Sequence, residues 1–357
     1  MHRFAFILHP LSVADFYRKY PLLRALPDPW VESLVAKVKP RQVVSEVTGI
    51  VSATGQETAG WFIGCPLTAQ RLLEGDEKRN LENIIYCAEL AQDLGAEVVG
   101  LGAFTSIVGD AGITIAERLD IGVTTGNSYT VATAVEGTLL AARRVGIDLS
   151  QARVAVLGAT GSIGRVCARL LAPSVGGLTL CARRLEPLEA LAAELSESGV
   201  PVEATTEVNR ALRQAEIVIA VTSAVDSVIQ PEMLRPGAVV CDVARPRDVS
   251  RQVANQRTDV LVIEGGAVAV PGDVQFNFDF GFPPGTAYAC MAETMILALS
   301  GRSGDYSLGR DIRLEQVEEI SDLARVHGFK LAGFRSFERA VTEEQVERVR
   351  RAREQRT

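Results

Sequence analysis

Two stretches of this 357-residue chain carry residue types at spacings that do chemistry. In Gly158-Ala159-Thr160-Gly161-Ser162-Ile163-Gly164, three glycines recur at three-residue intervals, between the apolar run Val154 to Leu157 and the helix-like Arg165 to Ala172. In a strand-turn-helix of this kind Gly158 allows the tight turn, Gly161 lets a pyrophosphate approach backbone N–H groups, and Gly164 lets helix pack closely on sheet. Thr160, Ser162 and Ile163 complete the loop, and the helix N-terminus turns its partial positive charge toward phosphate. The alternative is a glycine turn of purely structural origin. The Gly-Lys-Ser/Thr ending of an NTPase loop is missing, which disfavours ATP and GTP. About 20 residues on, where an acidic side chain would bind an unphosphorylated ribose, the second strand runs into Arg183 and Arg184. Guanidinium groups there suit a 2′-phosphate, so the expected cofactor is NADP(H) rather than NAD(H).

The second stretch is Ala287-Tyr288-Ala289-Cys290-Met291-Ala292-Glu293, which opens a helix after Pro283-Pro284-Gly285. A thiol in the first turn of a helix is favoured as thiolate, yet an unpaired cysteine is more often a small core hydrophobe. From the residues alone the core reading leads. The other five cysteines, Cys65, Cys87, Cys167, Cys181 and Cys241, are scattered singly in apolar surroundings, and the only histidines are His2, His9 and His327. Such a set supports neither a zinc site nor a disulfide framework, so no metal is expected.

The elements around these residues divide the chain near residue 150. Before it, Val43 to Ser52, Trp61 to Ile63 and Glu97 to Gly102 read as strands. Arg79 to Leu94, with Leu81, Ile84, Ile85, Ala88 and Ala91 at helical spacing and Gly95 as its stop, reads as a helix, as does Ser128 to Arg144. After it, Val154 to Leu157, Leu178 to Ala182, Ile217 to Val221, Val239 to Val243 and Val260 to Ile263 are short β-branched runs. Five such runs predict a doubly wound parallel sheet. The fold class expected is α/β: an N-terminal α/β substrate domain (1–150), a Rossmann-type domain (151–270), and a C-terminal segment (271–334) returning a helix to the interdomain cleft. A charged tail (335–357), with seven arginines and five glutamates, is expected to be a solvated helix. Phe276, Phe278, Phe280 and Phe282 alternate and predict an extended strand with its rings on one face, either a core face or a pocket wall. Ala287 to Leu299 and Leu314 to His327 read as helices.

Composition narrows the function classes. Hydrophobic residues make up 47% and charged residues 23%, which excludes wholesale disorder. A net charge of −7 disfavours a chain-wide grip on nucleic acid or anionic membrane. No apolar run approaches the ~20 residues of a membrane span, and Phe4 to Leu8 is too short for a signal-peptide core, so a cytoplasmic location is expected.

Taken together, several segments resemble one family. Val51 to Gly55, Leu101 to Ile107, Thr124-Thr125-Gly126-Asn127 with Thr130, the Val156 to Gly164 loop, Ala182-Arg183, Gly265-Gly266, Ala289-Cys290 with Ala292-Glu293, and His327-Gly328-Phe329 occur in the order found in the cyanobacterial long-chain acyl-[acyl-carrier-protein] reductases. That resemblance implies an NADPH-dependent reduction of a fatty acyl thioester, delivered by acyl carrier protein or as acyl-CoA, to a fatty aldehyde. It implies Cys290 as the nucleophile that carries the acyl group. Thr105, Ser106, Asn127 and Thr130 are then candidates for substrate or oxyanion contacts. Where the family commonly has Asn-Thr-His-Thr, this chain has Asn127-Ser128-Tyr129-Thr130, and the segment from Gly266 to Cys290 diverges. An acidic carrier protein needs a basic landing patch, for which Arg143 with Arg144, or Arg245 with Arg247 and Arg251, are candidates. Two other readings fit the residues: a shikimate- or amino-acid-type dehydrogenase without a covalent intermediate, and a non-catalytic NADP-binding regulator.

Overall fold

The computed structural model describes residues 1–35 and 42–355. Two compact units emerge, and the chain enters each more than once: Met1–Tyr129 with Ala269–Asp311 and Glu318–Lys330 form the first, and Thr130–Val268 with Ile312–Val317 and Leu331–Thr357 the second. The switch falls at Tyr129/Thr130 because the helix Asn127–Arg144 begins in the first unit and continues in the second. The stretch 269–311, with Cys290, is therefore part of the first unit rather than a separate C-terminal segment.

In the first unit, β1 (Arg3–Leu8), β2 (Gln42–Val51), β3 (Glu57–Gly64), β4 (Val98–Leu101) and β5 (Gly122–Thr124) join the edge strand Gly272–Gln275 in one sheet. Its order is Gly272–Gln275, β2, β3, β1, β4, β5. β3, β1, β4 and β5 run parallel, and the other neighbours pair antiparallel. Phe4, Ala5, Phe6 and Ile7 of β1 are all buried, the mark of a strand covered on both faces. The helix Glu77–Asp93 covers one face with Ile84, Ile85, Cys87, Ala88 and Ala91. Asp76 caps its start by accepting from the Arg79 N–H, and Gly95, at φ +83°, lies just past its end. The apolar run Phe4 to Leu8 is thus a core strand.

The second unit holds β6 (Arg153–Leu157), β7 (Gly177–Cys181), β8 (Val202–Thr205), β9 (Ile217–Ala220), β10 (Val239–Asp242) and β11 (Leu261–Glu264). All are parallel, in the order β11-β10-β9-β6-β7-β8. This is the doubly wound arrangement expected, with six strands rather than five. β8 lies at the sheet edge with only Thr205 fully buried, so its Val-Glu-Ala-Thr sequence lacks the apolar run that marks its neighbours.

Two further expectations are corrected. The Phe276 to Phe282 stretch is not a strand: Gln275 ends the pairing, and Asn277 (φ 51°) and Gly281 (φ 92°) turn the backbone, so the rings gather on one another and, through Phe276 and Phe280, on Phe62 of β3. The charged tail is a docked helix, Glu343–Glu354. Thr342 and Gln345 form a capping box at its start, Val346 and Val349 are buried, and Arg353 pairs with Glu216 at 2.6 Å. Those two valines at i, i+3 are the apolar stripe hidden among its charges; Arg356 and Thr357 lie outside the described residues.

Candidate active site

The helix Ala289–Leu299 is buried along its whole length with one exception, Cys290, the second residue. Cys290 is also the one cysteine of the six that is not fully buried. Burial pushes the thiol of Cys181 up to about 11 and that of Cys241 up to about 12, and pushes Cys167 higher still, which leaves all three inert in the core.

Two close approaches hold the Cys290 helix in place. A Cβ added to Gly126 would lie 2.3 Å from both the Cα and the Cβ of Cys290, so only glycine lets the turn after β5 pass there, and its φ of +72° makes the same demand. A Cβ on Gly100 of β4 would lie 2.1 Å from the Thr294 Oγ1. One helical turn beyond Cys290, the fully buried Glu293 accepts a hydrogen bond from the Thr124 hydroxyl at 2.5 Å and another from the Tyr129 backbone N–H at 2.7 Å. Burial raises the carboxyl of Glu293 above its usual range, while these donors act in the opposite direction. Its carboxyl therefore ties the first turn of the helix Asn127–Arg144 to the helix that bears Cys290, as an acidic group at a helix N-terminus should. The Ser128 N–H completes the junction by donating to the Ser307 Oγ at 3.3 Å, and the Ser307 hydroxyl donates to the Ser128 Oγ at 2.6 Å. Residue-type reasoning missed Glu293; the available signal was its Cys-x-x-Glu spacing, which puts both side chains on one helix face.

The other first-unit candidates are placed as follows. Asn127 is buried and follows Gly126 directly. Thr105 and Ser106 lie in a short helical turn after β4, where their hydroxyls donate to the carbonyls of Gly102 at 2.8 Å and Ala103 at 2.7 Å. Their protons are thus committed to the turn. Tyr129 is buried, and Thr130 begins the second unit.

In the second unit the glycine loop follows β6. Gly158 has φ +80°, and its N–H donates to the Cys181 carbonyl at the end of β7 at 2.8 Å. A Cβ there would come within 2.4 Å of the Val221 carbonyl oxygen, and one on Gly164 within 2.3 Å of the Gly158 carbonyl oxygen. Gly161 is different: it is exposed, it caps the helix Ser162–Leu171, and a Cβ on it would meet only the Gly158 oxygen, at 3.2 Å. Space is kept open where a pyrophosphate would sit, so the loop fits a dinucleotide. Thr160, Ser162 and Ile163 around it are half-buried. Arg183 and Arg184 are exposed just beyond the end of β7, and Arg184 precedes the helix Leu185–Ser196. Of the proposed basic patches, Arg247 is held by Glu264 at 2.7 Å, and Arg245 donates to the Ala244 carbonyl at 2.7 Å, whereas Arg251 is exposed. Arg143 is exposed and Arg144 pairs with Glu343. Among the described residues no helix is long and apolar enough to cross a membrane.

A parallel sheet in this order, with a glycine turn between its central strand and the following helix, defines a nucleotide-binding Rossmann-type protein. Residues 139–264, which include all six strands, match the pattern of the Shikimate / quinate 5-dehydrogenase family. Aminotransferase PigE of a Serratia species is 34% identical over 308 residues, 85% of this chain and 36% of that protein, so the chain spans about a third of that relative's length. The long-chain acyl-[acyl-carrier-protein] reductase of Synechococcus elongatus is 32% identical over 314 residues, 82% of this chain and 87% of that protein. The chain belongs to the long-chain acyl-[acyl-carrier-protein] reductase family. Among solved structures, glutamyl-tRNA reductase from Methanopyrus kandleri shares 18% identity with a TM-score of 0.32, covering 83% of this chain and 63% of that one.

Proposed function

We propose that the protein reduces a fatty acyl thioester, acyl-carrier-protein or acyl-CoA, to a fatty aldehyde at the expense of NADPH, with the acyl group carried on Cys290. The observation that carries this reading is that a helix buried at every other position leaves Cys290 alone partly accessible. In the first turn, the thiolate of Cys290 faces the positive end of the helix dipole, which favours the charged nucleophile. It attacks the thioester carbonyl carbon, the carbon–sulfur bond to the carrier breaks, and the carrier leaves as a thiolate that takes a proton from water. When bound, NADPH supplies the hydride that reduces the resulting acyl-enzyme. The hemithioacetal so formed on Cys290 collapses to aldehyde and regenerates the thiolate.

The chain's own residues then have three tasks. Gly158, Gly161 and Gly164, with Thr160, Ser162 and Ile163, hold the pyrophosphate, and Arg183 and Arg184 hold the 2′-phosphate. Glu293, through Thr124 and Tyr129, fixes the turn that carries Gly126 against Cys290. Asn127, next in the chain to Gly126, is the residue we assign to the oxyanion that develops at the acyl carbon. Arg143 and Arg251, both exposed, are the residues we assign to an acidic carrier.

The second reading, a dehydrogenase without a covalent intermediate, draws on the match at residues 139–264. That match covers the nucleotide-binding strands and bears on the cofactor more than on the acyl chemistry. The two readings separate on Cys290→Ala. Thioester-dependent NADPH oxidation is expected to fall at least 1000-fold with NADPH affinity unchanged; retention of the rate would establish the non-covalent route.

A further inference from the structure

The four phenylalanines after Gln275 have no place in the chemistry above, and of them only Phe276 is buried, against Phe62 of β3. They assemble on Phe280. Its ring lies 5.2 Å from that of Phe276, 6.5 Å from Phe278, 6.0 Å from Phe282, 5.9 Å from Phe62 of β3, and 6.3 Å from Tyr288. The cluster is rooted at one end in the core, where Phe62 is fully buried and stacks on Phe276 at 5.8 Å with 13° between the planes. At the other end Phe282 meets Tyr288 at 4.5 Å, and Tyr288 is the residue that caps the helix of Cys290. Between these ends Phe278, Phe280, Phe282 and Tyr288 are only half-buried. A loop whose purpose was core filling would bury its rings; this one leaves a run of aromatic surface from the core to within two residues of the nucleophile. Positive φ at Asn277 and Gly281 holds the loop in the conformation that turns the rings onto one another.

We infer that this aromatic cluster is the acyl-chain subsite and sets the chain length accepted, with Phe282 and Tyr288 against the carbons nearest the thioester and Phe280 and Phe278 against those farther out, on a base formed by the buried Phe276 and Phe62. The inference rests on the covalent reading for Cys290 and adds the specificity determinant to it. An unbranched acyl chain has no group to hydrogen-bond, so selection among chains comes from burying methylenes, each of which improves binding by roughly fourfold. Rigid rings suit this task, because they offer a large apolar surface with few rotamers to freeze.

The test is the rate at which Cys290 becomes acylated, read by intact-protein mass spectrometry without nicotinamide cofactor, across saturated acyl-CoA substrates from four to eighteen carbons. In the wild type the rate should climb with chain length. In Phe280→Leu and Phe282→Leu the climb should flatten by at least tenfold over the series, and the flattening should set in at shorter chains for Phe282→Leu. Phe282→Trp, which fills the site instead of opening it, should move the optimum to shorter chains, so a folding defect common to the leucine variants cannot mimic the pattern. If the variants acylate with the wild-type length profile, or lose all lengths equally while keeping the wild-type melting temperature, the cluster is an aromatic core only and the inference is overturned. Absence of acylation by any substrate in the wild type would instead remove the covalent reading, and this inference with it.

Discussion

At Gly126 a single added methyl group would lie 2.3 Å from the Cα and the Cβ of Cys290. Gly126→Ala must therefore move either the turn after β5 or the start of the cysteine helix, in addition to straining a backbone at φ +72°. We expect it to destabilise by about 1–3 kcal/mol and to slow acylation of Cys290 at least tenfold. The check is denaturant unfolding alongside mass-spectrometric acylation, and a wild-type rate would show that the approach does not position the thiol. What the sequence could reveal at this scale was uneven. The residue type and helix-start position of Cys290 were legible, but five other cysteines shared its apolar company, and only burial separates them. Glu293 went unrecognised because its partners, the Thr124 hydroxyl and the Tyr129 N–H, come from residues more than 160 positions away. Thr105 and Ser106 had the right residue types, yet the turn takes both of their protons, a detail that needs backbone geometry.

At the scale of elements, the three glycines of the nucleotide loop should respond differently to the same change. Gly164→Ala drives a methyl into the Gly158 carbonyl oxygen at 2.3 Å, so helix and loop separate, and both stability and nucleotide affinity should fall. Gly161→Ala brings its methyl to 3.2 Å from the same oxygen, a tight contact that the turn must relieve by a few tenths of an ångström, so its melting temperature should fall much less than that of Gly164→Ala, while its affinity for NADPH falls at least tenfold. Calorimetric titration with thermal melts would decide; equal affinities for Gly161→Ala and wild type would mean that the phosphates sit elsewhere. The strand-turn-helix around these glycines was legible because each of its parts has a local signature: β-branched run, spaced glycines, amphipathic helix. β8 was not, since an edge strand half in solvent needs no continuous apolar run. The phenylalanine segment misled for the opposite reason. Alternation is a statement about an extended backbone, and Asn277 and Gly281 depart from one.

Over the whole molecule, both α/β units could be expected from the order of runs along the chain, but not that each is assembled from separated stretches, because that depends on long-range contacts. Nor did composition show that the last helix is docked: its two buried valines are outnumbered by charges, and the Arg353–Glu216 pair spans 137 positions. One consequence for global stability follows from Asp242, buried at the end of β10, where it accepts from the N–H groups of Ala244, Asp248 and Val249. Burial raises its carboxyl to about 6. A carboxyl raised on folding contributes stability that is fully present below its unfolded value and is lost as pH rises through its folded value. The stability of wild type relative to Asp242→Asn should accordingly fall by on the order of 3 kcal/mol between about pH 4 and pH 7, read from urea unfolding of both proteins; a difference independent of pH would show that Asp242 is not held in this way. The central claim, that Cys290 carries the acyl group, is tested most directly by the intact mass of the protein after exposure to a long-chain acyl thioester without NADPH. The account predicts a single acyl adduct, mapped to Cys290, removed by hydroxylamine and discharged as aldehyde when NADPH is added. No adduct on the wild type, or an adduct of equal extent on Cys290→Ala, would contradict it.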